Sequence, residues 1–296
     1  MNKPKFYMLV GLSGSGKSSY NFKEEVVKIS SDALRKELFG DENDQTHNAE
    51  VFNELHKRVI LNLKNGKNVV YDATNLSRRR RKAFLKTIAH IPCKKICVVF
   101  RTPYEVCVKR DSLRSRTVGV SVIFKQLKQF QMPQYDEGWD LINFTYLQSD
   151  KAVDPFALVE LSKLVEHDNP HHLETIGQHM QMTYDKLCKM TKDEELRIAG
   201  LFHDLGKVST KYFRNARGEK TDIAHYYSHE NVSTYLYLTS YLFYPTEVGS
   251  KIAWLIENHM HPYYSGYEKW KSTQNPEWVK DLEILYLADQ EARITE

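Results

Sequence analysis

The chain has 296 residues, about twice an ordinary domain length, so two domains are expected, each able to bury its own core. Hydrophobic residues make up 41% of it and charged residues 27%, which excludes a disordered or fibrous chain, and no apolar run reaches the roughly 18 residues a membrane span needs. The formal net charge of +4 does not by itself mark a nucleic-acid binder, and Cys93, Cys97, Cys107 and Cys188, lacking paired metal-ligand spacing, read as reduced core residues of a cytoplasmic protein.

The first predicted strand, FYMLVG at residues 6–11, leads into GLSGSGKSS at 11–19. This satisfies G-x-x-x-x-G-K-[ST] in the strand-to-helix setting the motif requires. Gly11, Gly14 and Gly16, with Ser13, Ser15 and Ser19 between and after them, form a loop whose backbone can wrap a β-phosphate. Lys17 neutralises the β/γ oxygens and Ser18 is placed to ligate Mg²⁺, so ATP or another NTP with Mg²⁺ is the expected cofactor.

A second predicted strand, VVKIS at 26–30, is followed by Asp32 and Arg35. That places both at the carboxyl edge of a parallel sheet, where open α/β folds bind ligands. There an aspartate can take a proton from an attacking hydroxyl while an arginine grips an acceptor phosphate; the plainer reading is a helix N-cap and a surface arginine. Val51, Leu55, Val59 and Leu63 recur every four residues, the buried face of a helix closed by Asn65-Gly66. Strand VVYD ends in Asp72, a carboxylate of Walker-B type that can serve Mg²⁺ or the acceptor, or simply cap a helix.

Arg78 to Arg81 form an unbroken basic run, a polyanion surface or a solvated helix face. After strand ICVVFR at 96–101 comes a second basic cluster, Lys109, Arg110, Arg114 and Arg116. On one helix Arg110 and Arg114 face the same way, as a lid bringing two guanidinium groups to a transferring phosphate requires, or as a solvated face. The alternation of strands and helices predicts an α/β domain over residues 1–150, a parallel sheet with flanking helices.

Beyond residue 150 helical periodicities take over: Leu173, Ile176, Met180 and Leu187, then Leu196 to Phe202, Val232 to Leu242 and Val279 to Leu287. They predict an all-α domain over 151–296, with the boundary in DKAVDP at 150–155. His203-Asp204 lies in LFHDLGK, with His179 upstream and His229, His259 and Asp289 downstream, each on its own predicted helix or helix edge. Ligands from several helices can converge inside a bundle on one or two divalent ions: His179, His203, Asp204 and Asp289 on one, His229 and His259 on a second, with Asp204 bridging. Such an ion acidifies water and polarises a phosphoryl oxygen, the chemistry of phosphoester hydrolysis; a mixed His/Asp set accepts Mn, Fe, Co, Ni or Zn. His171, His172, His225 and His261 read as bystanders, with His225 or His261 the alternatives to an assigned neighbour.

Residues 1 to about 145 resemble the polynucleotide 5′-kinase branch of the P-loop phosphotransferases. GLSGSGKSS, the D-x-x-R of Asp32 and Arg35, the stretch from Asp72 through Asn75 to Leu76, and the R-x-x-x-R of Arg110 and Arg114 appear in that family's order and approximate spacing. The resemblance implies Asp32 as general base on a 5′-hydroxyl and Arg35, Asp72 and Asn75 on the acceptor side, with Arg110 and Arg114 clamping donor phosphates. Residues 155–296 resemble the HD phosphohydrolase superfamily through the pattern H…HD…H…H…D. Lys207 and Arg293 match positions where HD modules of end-healing enzymes place cations for the scissile phosphate. The similarity is closest to the HD module fused to a polynucleotide kinase in some bacterial repair proteins, where the HD module comes first.

Together the resemblances imply a bifunctional end-healing enzyme, phosphorylating 5′-hydroxyl ends with NTP and removing terminal 2′- or 3′-phosphates from RNA or DNA. It would work beside a nucleic-acid ligase, without a membrane, in the cytoplasm, or a host's cytoplasm if phage-encoded. One alternative is a small-molecule kinase, for a nucleoside or nucleotide, fused to an HD nucleotidase or cyclic phosphodiesterase. Another is an ATP-dependent switch whose HD half is a binding platform. Nothing in the sequence sets an oligomeric state.

Overall fold

A computed structural model describes residues 3–145 and 151–294; Asp150, first residue of the expected boundary segment, lies outside the described residues. The chain divides into two compact units, and Leu127–Met132 join the residues beyond 150 rather than those flanking them.

In the first unit β1 (Lys5–Val10), β2 (Val27–Ser30), β3 (Val69–Asp72), β4 (Lys94–Phe100) and β5 (Leu141–Thr145) form a five-stranded sheet of order β2-β3-β1-β4-β5. Every pairing is parallel. The inner strands carry unbroken apolar runs because both faces of such a sheet are covered, and Leu9, Val70, Ile96, Val98 and Phe100 are buried together. The helices are α1 (Ser31–Phe39), α2 (Asn48–Lys64), α3 (Arg78–Thr87), α4 (Tyr104–Ser112) and α5 (Val120–Gln129), the last of which belongs to this unit only as far as Gln126. Val51, Leu55, Val59 and Leu63 are the buried residues of α2, as their spacing predicts.

The basic run on α3 is only partly a surface feature. Arg79 and Arg80 are exposed, but Arg81 is 1% exposed. Its guanidinium meets the Glu137 carboxylate through Nε–Oε2 at 2.7 Å and Nη2–Oε1 at 2.6 Å. Removing one partner of a buried pair strands the other charge, so Glu137→Ala is expected to destabilise this unit by about 3–5 kcal/mol in a denaturant titration. A loss below about 1 kcal/mol would show that the pair is not desolvated as the geometry indicates.

The second unit is helical, with α6 (Pro155–Ser162), α7 (Ile176–Met190), α8 (Glu194–Phe202), α9 (Lys207–Thr210), α10 (His229–Thr239), α11 (Glu247–Asn258), α12 (Tyr267–Lys271) and α13 (Pro276–Glu291). It also holds an antiparallel hairpin, β6 (Tyr212–Arg214) with β7 (Lys220–His225), absent from the sequence reading. Thr175 and Gln178 close a capping box, so α7 starts at Ile176 and Leu173 is left outside and exposed. Cys188, expected in the core, is exposed, whereas Cys93, Cys97 and Cys107 are buried. No helix among the described residues is long and apolar enough to cross a membrane.

Leu127–Met132 belong to this unit through specific bonds. The Phe130 ring meets Tyr235 edge-on at 4.9 Å, the Lys128 carbonyl accepts from Asn231 Nδ2 at 2.8 Å, and the Met132 N–H donates to Glu257 Oε2 at 2.7 Å.

Candidate functional site

Because the sheet is parallel, the segments after β1, β2 and β3 leave from one edge, and the Lys17 loop, Asp32 and Asp72 gather there. Gly14 (φ 82°) and Gly16 (φ 92°) adopt the left-handed conformation the loop needs. A Cβ on Gly14 would lie 2.3 Å from the Cys107 carbonyl oxygen, so that position tolerates nothing larger. The Gly11 N–H donates to the Thr74 carbonyl at 3.1 Å and the Thr102 hydroxyl to the Ser15 carbonyl at 2.9 Å. Gln126 of α5 clasps Ser13, accepting from its N–H at 2.8 Å and donating to its Oγ at 3.0 Å.

No long helix follows the loop, contrary to the sequence expectation. Lys17–Ser19 form a single 3₁₀ turn, after which Tyr20 and Phe22 fold back onto the sheet, Tyr20 edge-on to Phe22 at 4.9 Å and to Phe100 at 5.6 Å. The loop therefore offers its N–H groups and Lys17 at this edge, with no long helix dipole behind them. Ser18 and Ser19 are exposed where the loop ends.

Lys17 Nζ donates to the Gly11 and Leu12 carbonyls at 2.9 and 2.7 Å. Burial pulls its pKa down to about 8, with Asp72 opposing that shift and Arg114 adding to it. The nucleotide site therefore loses a positive charge as pH rises through about 8. ATP affinity, followed with a fluorescent analogue, is expected to fall above pH 8 by up to about tenfold per unit. An affinity flat to pH 10 would mean that Lys17 keeps an ordinary lysine pKa.

Asp32 lies in the first turn of α1, whose N-cap is Ser30, so it is not the cap that the plainer reading allowed. Its Oδ1 accepts from Arg35 Nη1 at 2.7 Å and its Oδ2 from Arg116 Nη1 at 3.1 Å. Arg35 is buried and also donates to Asn48 Oδ1 at 2.7 Å. Asp72 pairs with Lys28 Nζ at 3.0 Å and does not cap α3, which Ser77 precedes. Asn75 (φ 51°) uses its amide to brace the chain, donating to the Leu9 carbonyl at 2.8 Å.

Arg110 and Arg114 do not share a helix, because α4 ends at Ser112. The Asp111 carboxylate accepts the N–H groups of Val118 and Gly119, each at 3.0 Å through Oδ2, and folds the segment containing Arg114 back on itself.

In the second unit the six expected ligands come together in a buried centre. His179 Nε2 lies 2.8 Å from Asp289 Oδ1, and His203 Nε2 lies 3.2 Å from Asp204 Oδ2. Asp204 Oδ1 is 3.2 Å from His229 Nε2 and 3.5 Å from His259 Nε2, which are 3.1 Å from each other. Asp204 thus turns one oxygen to each histidine set, and two groups of metal-holding geometry, His179/His203/Asp289 and His203/Asp204/His259, share His203.

Each imidazole is oriented by what its other nitrogen meets. His203 Nδ1 faces the Gly200 carbonyl (2.7 Å), His229 Nδ1 that of Tyr226 (2.8 Å) and His259 Nδ1 that of Ile256 (2.8 Å). His179 Nδ1 lies 3.2 Å from Glu174 Oε1. That arrangement fixes the Nε2 atoms toward the centre. Gly206 lets the HDLGK turn approach α10, since a Cβ there would meet the His229 carbonyl at 2.2 Å.

The donor set fits a divalent ion: His203 Nε2 and Asp204 Oδ1 are buried without hydrogen-bond partners, and imidazole with carboxylate is a usual transition-metal set. An ion held there supplies Lewis-acid chemistry to a phosphoester and to water. Burial would raise the Asp204 pKa, but the charges of His203 and Lys207 hold it well below the carboxylate range. Burial lowers and hydrogen bonds to Asp289 and Glu174 raise the His179 pKa, with a net rise to about 9.

Lys207 Nζ is 2.7 Å from Asp204 Oδ2. Arg293 donates to the Tyr263 hydroxyl, which in turn donates to Asp289 Oδ2. His172, taken as a bystander, lies 2.6 Å from Glu174 Oε1 and so joins the buttress behind His179. Of these partners Glu174, Tyr263 and Gln126 escaped the sequence reading, since none stands in a motif.

A P-loop on a five-stranded parallel sheet and a His/Asp centre in a helical unit define a phosphotransferase joined to a metal-dependent phosphohydrolase. Residues 6–133 match the family model described as an AAA domain and residues 176–293 the one described as an HD domain, so the chain is a P-loop kinase module followed by an HD domain. It is 30% identical over 101 residues to transcription factor bHLH140 of Arabidopsis thaliana, a stretch covering 32% of this chain and 11% of that protein. Among solved structures it is similar to a Pnkp1/Rnl/Hen1 complex (26% identity, TM-score 0.35, covering 52% of this chain and 50% of that one). It is also similar to a Pnkp1/Rnl/Hen1 RNA repair complex (29%, 0.38, 52% and 53%) and to a gluconokinase from Sinorhizobium meliloti 1021 (18%, 0.33, 49% and 83%). The chain thus spans about half the length of the first two of these structures and about a tenth of the curated relative.

Proposed function

We propose that this protein heals broken polynucleotide ends, adding a phosphate to a 5′-hydroxyl with the residue 1–150 module and removing a terminal 2′- or 3′-phosphate with the 151–296 module. The supporting observation is that one chain holds both a phosphate-donating cradle and a centre suited to phosphoester hydrolysis. On one small molecule the two would undo each other. On opposite ends of a cut strand both are useful, and their products, a 5′-phosphate and a free hydroxyl, are what a nucleic-acid ligase joins.

In the kinase, Asp32 takes the proton of the 5′-hydroxyl as its oxygen attacks the γ-phosphorus, and the bond to the nucleoside diphosphate breaks. Arg35, half of the Asp32 pair, holds an acceptor phosphate, while Lys17, Arg110 and Arg114 offset charge on the donor. ATP with Mg²⁺ is the donor, with Ser18 and Asp72 serving the ion in this reading. In the hydrolase, Lys207 offers its charge to the phosphate, and Arg293 acts through Tyr263 to position Asp289. The bound metal is one of Mn, Fe, Co, Ni or Zn.

The test is a short RNA carrying a 5′-hydroxyl and a 3′-phosphate, incubated with ATP, Mg²⁺ and Mn²⁺ or Ni²⁺, with both ends read by mass spectrometry. One phosphate gained and one lost is the expected result. If ATP or a free nucleotide is hydrolysed while neither end changes, the polynucleotide reading fails and a small-molecule kinase with an HD nucleotidase replaces it.

A further inference from the structure

We propose that the β6–β7 hairpin is a stacking platform that holds the single-stranded nucleic acid leading into the His/Asp centre. The inference rests on the end-healing reading and adds to it the surface that grips the strand.

The hairpin begins and ends at the site. Lys207, on Asp204, opens α9, and β6 starts just beyond that helix. After β7, the Tyr226 ring lies 5.5 Å under Lys207 Nζ, and its carbonyl accepts from the backbone N–H of His229 at 3.1 Å. Ser228, immediately before that ligand, is held at φ 64°, a conformation non-glycine residues adopt at a cost. The turn joining hairpin to centre is therefore constrained rather than slack.

Its anchoring leaves most of its aromatic surface open, with Lys211 Nζ over the Phe213 ring at 5.9 Å. Ala224 is buried and its N–H donates to the Asp168 carbonyl at 2.8 Å, while Lys211 Nζ meets Asp168 Oδ2 at 2.5 Å. Tyr212 and Phe213 are instead 52% and 44% exposed, and Tyr227, 41% exposed, lies parallel to the His225 ring at 5.4 Å and 6°. A two-stranded hairpin is marginal on its own, so leaving its aromatics in water is a cost that a bound partner would offset.

The charge identifies the partner. Arg214, Arg217 and Lys220 have no acidic partner among the described residues and outnumber the one carboxylate of β7, the exposed Asp222; Arg214 Nη1 donates to the Gly218 carbonyl at 2.8 Å, and Glu219 is occupied by Asn215 Nδ2 at 2.7 Å. Flat aromatic faces interleaved with cations, beside a centre suited to phosphoesters, match unpaired bases and their phosphates, because stacking tolerates any base and cations follow the backbone.

The experiment compares the full-length protein with a Tyr212→Ala/Phe213→Ala variant on two substrates, a short single strand with a 3′-phosphate and a nucleoside 3′-monophosphate. Anisotropy of a labelled strand gives binding directly. The variant is expected to raise KM and Kd for the strand about tenfold with kcat kept, while kcat/KM for the mononucleotide stays at the native value. Strand KM and Kd within about twofold of native, or equal losses on both substrates, would overturn the platform. If the native protein hydrolyses the mononucleotide but neither binds nor dephosphorylates the strand, the end-healing reading itself falls, and the platform with it. Strand binding that the variant loses, with no phosphate removed from the strand, would uphold the platform and sink only the end-healing reading.

Discussion

Asp204→Ala is expected to abolish phosphoester hydrolysis and leave phosphoryl transfer from ATP at its native rate. Asp204 faces four imidazoles and Lys207 at 2.7–3.7 Å, so no other residue of the centre touches as many of its members. Losing an outer partner of a metal ligand typically costs 10–100-fold; losing Asp204 should lower kcat/KM by at least about a thousandfold and empty the site of metal, as elemental analysis would show. Alanine also leaves Lys207 charged without its partner, so Asp204→Asn, which keeps the side-chain shape, separates lost chemistry from lost folding. Hydrolysis within about tenfold of native in Asp204→Asn, with metal retained, would remove Asp204 from the ligand set.

Lys17→Ala should produce the mirror image: kinase activity down by about a thousandfold, with hydrolysis intact. The position is specific to an ammonium. Nζ sits between two carbonyl oxygens at 2.9 and 2.7 Å, a gap that fits a compact point charge and not the planar fork of a guanidinium, so Lys17→Arg should fail to rescue. Because burial already strains this charge, Lys17→Ala should melt no lower than the native protein when nucleotide is absent. A variant that unfolds, or an arginine that restores turnover, would contradict the geometry. If both mutants silence both reactions, the two sites do not act separately.

Features whose cause is local were the legible ones. The P-loop is written in consecutive residues, and α2 shows itself through Val51, Leu55, Val59 and Leu63 because a helix repeats its buried face at short range. The His/Asp cluster could be read because each member sits on or beside a helix and one pair is adjacent in sequence. What stayed hidden depends on distant partners. Gln126 reaches Ser13 across 113 residues, and Arg81 looked like surface charge because Glu137 lies 56 residues away. The helix expected after the P-loop failed because Tyr20 and Phe22 had an apolar sheet face to cover, a tertiary demand that local propensity does not contain. The hairpin was missed because its few alternating residues sit among helices and its aromatics point to water, against the pattern by which strands are usually found.

The placement of Leu127–Met132 bears on how such a protein can be rearranged in evolution or in the laboratory. The helical module is not a contiguous cassette: a gene fragment starting at residue 151 would leave behind the ring against Tyr235 and the N–H on Glu257. Swapping the order of the two modules, or transplanting the second alone, would require carrying that six-residue segment along as a separate piece, so recombination at the apparent joint would be selected against.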